Sequence, residues 1–202
     1  MAMNLSKPSS MSPLFLLLVT IFFTMTTAQK QDNLPLNFLP EFGLGKENVS
    51  HLHFFFHDIV GGPKPTAIRV AEADFTKTSP TGFGAIVMID DPLTEGPMLS
   101  SKLLGRAQGF YASSALEELG FLMTLNYVFV EGEYKGSTLS ILGRNPVMNE
   151  VREMAVVGGS GAFRFARGYA LAKTHSFNDT TGDAVVEYNV EVIHYSSLKT
   201  FF

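Results

Sequence analysis

The chain has no cysteine and no tryptophan among its 202 residues. Without thiols it forms no disulfide, offers no thiolate nucleophile and builds no cysteine-ligated zinc site. Its fold must hold by core packing and sheet hydrogen bonds alone. Basic residues are outnumbered, with 15 Lys and Arg against 19 Asp and Glu. That balance argues against nucleic acid or an anionic membrane as partner, because both attract basic patches. Long apolar runs are also scarce. The one that exists, Leu14 to Phe23, is broken only by Thr20. It follows Lys7 and precedes Thr26 and Ala28, small residues at the minus-three and minus-one positions of a cut. This is the pattern of a cleavable secretory signal over residues 1–28. A membrane span needs roughly 20 apolar residues, so an anchor is the poorer reading. Several motifs are missing too. There is no Gly-x-Ser-x-Gly elbow and no His-Glu-x-x-His. Gly158-Gly159-Ser160-Gly161 lacks the Lys and the helix of a phosphate loop and reads as a hairpin turn.

Removing residues 1–28 from the 202 leaves 174, with 14 basic and 19 acidic residues and a formal charge of −5. That length suits one domain with a sizeable core. Residues 29–49 are polar, carry Pro35 and Pro40, and read as a flexible arm. From residue 50 to 197 the texture changes. Runs rich in Val, Ile, Phe, Tyr and Thr alternate with Gly, Pro, Asn and Asp clusters. Strands are predicted over 51–59, 66–73, 84–90, 102–113, 121–129, 137–142, 150–157, 165–176 and 183–195. Only Ser114 to Leu119 reads as a helical turn. The connections are short, which favours antiparallel neighbours. In the last strand Val186, Tyr188, Val190, Val192 and His194 share one side, with acids on the other. Phe121 to Phe129 is apolar on both sides apart from Thr124 and Asn126, so a second subunit is expected against its outer face. The expected fold is all-β, a closed antiparallel barrel with room for side chains or one small ligand. Two sequons, Asn48-Val49-Ser50 and Asn178-Asp179-Thr180, are N-glycosylation candidates, and the second sits in a polar turn.

The richest segment is His51-Leu52-His53-Phe54-Phe55-Phe56-His57-Asp58. Alternation places Leu52, Phe54, Phe56 and Asp58 on one face. If that face lines a pocket, Asp58 is a carboxyl group in a dry site with a raised pKa, able to pass a proton near neutral pH. The competing reading is a strand-end Asp that starts a turn. His51, His53 and His57 share the other face. The third lies roughly 13 Å along an extended strand from the first pair, too far to converge on one metal, so surface histidines are the better account. Tyr111 offers a phenol that hydrogen-bonds or stacks. Arg144 and Arg152 flank Asn145-Pro146, and an inward Arg stabilises a developing phenolate.

Taken in order, Phe56-His57-Asp58-Ile59, Phe83-Gly84, Asp90-Asp91-Pro92-Leu93-Thr94, Gly105-Arg106-Ala107-Gln108-Gly109-Phe110-Tyr111, Arg152-Glu153 and Gly158-Gly159-Ser160-Gly161-Ala162-Phe163 resemble the plant dirigent family. The resemblance spans residues 50 to 195. It implies an eight-stranded antiparallel barrel, a homotrimer, secretion to the apoplast and no cofactor or redox centre. Family members hold phenoxy radicals supplied by a laccase or peroxidase, or close a ring through a quinone methide. Gly61 to Ala67 and Gly143 to Val147 resemble the branch that contains the legume pterocarpan synthases, which dehydrate isoflavanols. The resemblance carries the family's pocket acid onto Asp58, its tyrosine onto Tyr111 and its arginine onto Arg152. Phe54 and Phe56 are expected in the pocket wall. A second acid of lignan-forming members falls on Asn145, which orients by hydrogen bonds but donates no carboxyl proton. Three functions are thus in view. The first is a ring-closing dirigent enzyme, the second a non-catalytic director of radical coupling, and the third a structural cell-wall or defence protein.

Overall fold

The computed structural model describes residues 44–197. The stretch read as a secretory signal, 1–28, and the part of the expected arm up to residue 43 lie outside them. Nine strands follow in chain order: β1 (Leu44–Asp58), β2 (Ala67–Ala71), β3 (Ile86–Thr94), β4 (Leu103–Ser113), β5 (Gly120–Phe129), β6 (Thr138–Pro146), β7 (Arg152–Ser160), β8 (Arg167–Phe177) and β9 (Ala184–Ser197). Every pairing is antiparallel. β3 to β9 lie side by side in sequence order, β9 pairs with β1, and β1 returns to β3. The ring therefore closes with eight strands, and β2 lies outside it on β3. Among the described residues no helix is long and apolar enough to cross a membrane.

Side-chain alternation sets the interior. Phe54 and Phe56 of β1 point inward, as do Val186, Tyr188, Val190, Val192 and His194 of β9. Phe54 meets Tyr127 edge-on at 5.0 Å and stacks on Tyr188 at 5.9 Å. The Ser50 end of the barrel is plugged by Phe129, Tyr134, Phe163 and His194. His194 is fixed there between Ser50 Oγ at 2.8 Å and the Ala162 carbonyl at 3.1 Å. The other end, where β1 reaches Asp58, is the open one.

Several segments differ from their sequence reading. β1 begins at Leu44, inside the stretch expected to be an arm, because β9 runs on to Ser197 and supplies backbone partners for it. Gly143 to Pro146 continues β6 beyond its predicted end at 142, paired with Gly120 to Met123. Gly158 to Ser160 extends β7 against Thr138 to Ser140. Ser114 to Leu119 is a hairpin loop, not a helical turn. Its amides bond around Gly120, with Ser114 N–H to the Gly120 carbonyl at 3.0 Å and Gly120 N–H to the Glu118 carbonyl at 3.0 Å.

Asp91-Pro92, beyond the strand predicted over 84–90, lies inside β3. The Asp90 N–H points toward the β2 side, to the Thr66 carbonyl at 2.9 Å. Two residues on, Pro92 faces the same side. There β2 has ended, and β1 pairs only with Leu93 and Thr94. The missing proline N–H thus falls at a gap in the ladder, the kind of place a strand tolerates proline.

Candidate active site

Asp58 ends β1 on the inward row, and its Oδ2 accepts a hydrogen bond from Tyr111 Oη at 3.1 Å. Tyr111 comes from β4 and stacks on Phe121 at 5.1 Å. Asp58 Oδ1 is buried without a partner. Burial pushes the Asp58 pKa up to about 6. The Tyr111 hydrogen bond opposes this rise, and the charge of Asp183 adds to it. Tyr111 is itself raised, by burial first and then by Asp58, so it remains a phenol and a donor. A dry carboxyl tuned toward neutrality is the arrangement a general acid needs.

Both residues open on a cavity of about 580 Å³. Its apolar wall includes Phe56, Phe121, Met123 and Val186. Arg152 of β7 lies in the wall as well, only 3% exposed. Its Nε donates to Asn145 Oδ1 at 3.1 Å and its Nη1 to Thr174 Oγ1 at 3.0 Å. Both partners are neutral, and burial acts to lower the Arg152 pKa. A guanidinium keeps its charge even so. The cavity therefore offers a proton donor and, from other strands, a cation held by neutral groups. A second cavity of about 230 Å³ shares Tyr111 and Phe121 and adds Arg69, Thr81 and Ser113.

Most residues singled out from the sequence converge here. Asp58, Tyr111, Asn145, Arg152 and Phe56 all line the larger cavity. Phe54 does not. It lies two residues deeper along β1, 1% exposed in the aromatic core. Arg144 faces out and pairs with Glu118. His51 and His53 are outer-face groups paired with Glu191 and Glu187, each at 2.8 Å. His57 departs from that pattern: it is 3% exposed, bonds Thr94 Oγ1 at 2.7 Å, and has its pKa lowered by burial. The residue that sequence reasoning missed is Asp91, fully buried on the inward row of β3. Its Oδ1 accepts from the Thr66 hydroxyl.

The mouth is clipped. Asp183 Oδ1 accepts from the Val60 and Gly61 amides at 2.8 and 2.9 Å. This ties the β8–β9 turn to the β1–β2 loop. Those bonds, Gly61's first, hold the Asp183 carboxyl below the usual range.

An eight-stranded antiparallel barrel with an apolar cavity, an acid raised by burial to about 6 and a buried guanidinium has the makings of a small-molecule site able to pass a proton. Comparison with known proteins narrows that description. The family model "Dirigent-like protein" matches residues 49–193. Pterocarpan synthase 1 of Glycyrrhiza echinata is 55% identical over 154 residues, 76% of this chain and 82% of that protein. Dirigent protein 21 of Arabidopsis thaliana is 56% identical over 148 residues, 73% of this chain and 78% of that protein. The solved structure of the pterocarpan synthase dirigent protein GePTS1 superposes with a TM-score of 0.73 at 54% identity, covering 77% of this chain and 96% of that one. The chain belongs to the dirigent family.

Proposed function

We propose that this dirigent protein closes a ring by dehydrating an isoflavanol-type phenol to a pterocarpan through a quinone methide. The observation that carries this reading is the Asp58–Tyr111 pair, an acid with pKa near 6 at the apolar wall of a ligand-sized cavity. The similarity to two pterocarpan synthases supports it. Asp58 gives its proton to the departing hydroxyl, which leaves as water. The phenolic O–H on the same ring system loses its proton as the quinone methide forms. An internal hydroxyl then adds to the methide carbon and releases its proton, while the carbonyl oxygen regains one. One water leaves, no electrons are exchanged, and Asp58 recovers its proton from the groups that ionise. Tyr111 holds Asp58 in place, and Arg152 stabilises negative charge on the phenolic oxygen. The cavity wall fixes which face is attacked, which is catalysis by orientation.

The test is turnover of an isoflavanol by the purified protein without oxidant, read on a chiral column. The alternative is stereoselective coupling of phenoxy radicals made by a laccase or peroxidase, which the family resemblance also implies; the Arabidopsis relatives are dirigent proteins. Radical coupling predicts no isoflavanol turnover and a changed enantiomeric excess from coniferyl alcohol plus laccase. Silence in both assays favours a structural cell-wall or defence role.

Secretion to the apoplast is supported by the signal pattern over residues 1–28. Of the two sequons, Asn178 is the better acceptor. It is exposed in a turn, with its Oδ1 accepting from the Thr180 and Thr181 amides at 2.9 and 3.2 Å, so its Nδ2 is free to face solvent. Asn48 sits in β1 opposite His194, and the Ser50 hydroxyl its sequon needs is bonded to His194 and Tyr134. Peptide mapping after glycosidase treatment is expected to find a glycan at Asn178 and none at Asn48.

A homotrimer is supported by an apolar row across the outer face. The strand registers align Ile68, Met88, Phe110, Thr124 and Leu142. Ile68, Met88 and Leu142 are 55%, 47% and 45% exposed. Three copies of the row meeting around one three-fold axis would cover such a surface. Met88→Glu with Leu142→Glu is expected to convert the trimer to monomer in light scattering at low micromolar concentration.

A further inference from the structure

We propose that Asp91 is the second acid of this site, a positioning residue that forms with Asp58 one coupled carboxyl pair holding a single proton at the cavity wall.

The geometry comes from the closure of the barrel. β1 pairs with β3 through Phe55 opposite Thr94 and Phe56 opposite Leu93. Continuing that antiparallel register two residues places Asp58 opposite Asp91. Both belong to the inward rows, Asp58 with Phe54 and Phe56, Asp91 with Ile89 and Leu93. Each carboxyl group has one satisfied oxygen. Asp58 Oδ2 takes the Tyr111 hydroxyl, and Asp91 Oδ1 takes the Thr66 hydroxyl. Each also has one buried oxygen with no partner, Asp58 Oδ1 and Asp91 Oδ2. Asp91 is fully buried and Asp58 half-buried, and the charge of Asp58 acts on Asp91, so the two do not both ionise cheaply and one proton stays with the pair. Asn145 carries no acid, and Asp91 supplies it from another strand.

The surrounding charges leave the pair uncompensated. Arg106 acts on Asp91 from β4, but its side chain is committed to Asp90 at 2.6 Å on the outer face. Gln108 bonds Asp90 too. Burial acts to raise Asp90, but these bonds outweigh it and bring Asp90 below its ordinary value. Asp183 and Tyr111 face Asp58 from the β8–β9 turn and β4, and Tyr188 faces it from β9. Arg69 reaches only as far as Tyr111. His57 lies on the opposite face of β1, bonded to Thr94. Burial first, then the charge of Asp58, pushes Asp91 up to about 8, against the pull of Thr66.

The kinetic consequence rests on the ring-closing reading; the titration does not. With the pair intact, a proton is available to the cavity until the second ionisation. The alkaline limb of kcat/KM is then set by the second ionisation of the pair, and Asp91→Asn is expected to move it to lower pH, toward the value of about 6 for Asp58 alone. A structural role for Asp91 changes kcat without moving the limb. The independent measurement is carbon-13 NMR of aspartate carboxyl carbons in the ligand-free protein. The wild type is expected to show two linked steps, both above the ordinary aspartate range and each felt by both residues. Asp91→Asn leaves one step, and Asp58→Asn lowers the remaining Asp91 step because the like charge is gone. If Asp91 titrates in one step that Asp58→Asn does not move, the pair is refuted. If the linked steps appear but no isoflavanol turns over, the pair stands and the ring-closing reading falls.

Discussion

Asp58→Asn is expected to lower kcat/KM for ring closure by about 10²–10⁴-fold, the usual contribution of a positioned general acid. The amide keeps the shape and still accepts from Tyr111, but it has no carboxyl proton to give. The wild-type rate is expected to be highest at acidic pH and to decline as the proton is lost. The residual rate of the variant has no such decline. The fold is expected to survive, and the sign of the linkage says why. The folded-state pKa of Asp58 lies above its ordinary 3.8, at about 6, so the native protein binds this proton more tightly than the unfolded chain. Stability contributed by that proton is present at low pH and lost as pH rises through 6. At pH 8 the ionised, desolvated carboxylate is a net cost that asparagine removes. The variant is therefore expected to melt at a temperature no lower than wild type at pH 8, as followed by calorimetry. A variant that turned over isoflavanol at the wild-type rate would remove Asp58 from the chemistry altogether.

Tyr188→Ala carries the largest expected effect on folding. The ring is 1% exposed and contacts Phe54, Phe56 and Tyr127, and it forms part of the cavity wall. Truncating an aromatic side chain in such a core costs about 3–5 kcal/mol, through lost burial and the void left behind. For a domain of this size that corresponds to a fall of roughly 6–20 °C in Tm. No disulfide limits the loss, because the chain has no cysteine. Tyr188→Phe keeps the ring contacts and is expected to lose far less. Comparable melting of the Ala and Phe variants would show that the aromatic cluster does not hold the barrel together.

Much of this was legible in the sequence because strand alternation has a strict period. That Phe54, Phe56 and Asp58 share one face of β1, and Val186 to His194 one face of β9, follows from alternation alone; that the Asp58 face points inward does not. What alternation cannot supply is the partner across a closure. The ring closes between β1 and β3, strands distant in sequence at that point, and no local pattern indicates which residue will oppose Asp58. Proline added to the difficulty. Asp91-Pro92 has the composition of a turn, and only the gap left by β2 lets it sit within a strand. The glycines at 143 and 158–159 misled in the same way, since a strand bordered by a ligand cavity or a bulge accepts them. Phe54 lies on the row that lines the pocket, so alternation places it there. Its depth along the barrel depends on how far the aromatic cluster reaches, which is a matter of three-dimensional packing.

The closure itself sets a mechanical condition. A hoop is only as tight as its fastening, and this one is fastened by Phe55 with Thr94 and Phe56 with Leu93, directly beside the acids. If that clasp slackened, bulk solvent would reach both carboxyl groups and return them to ordinary acids. The reactivity of Asp58 is in this sense a tension held by the girth of the barrel, and its tuning is as much a property of how the sheet is buckled as of any residue in contact with a ligand.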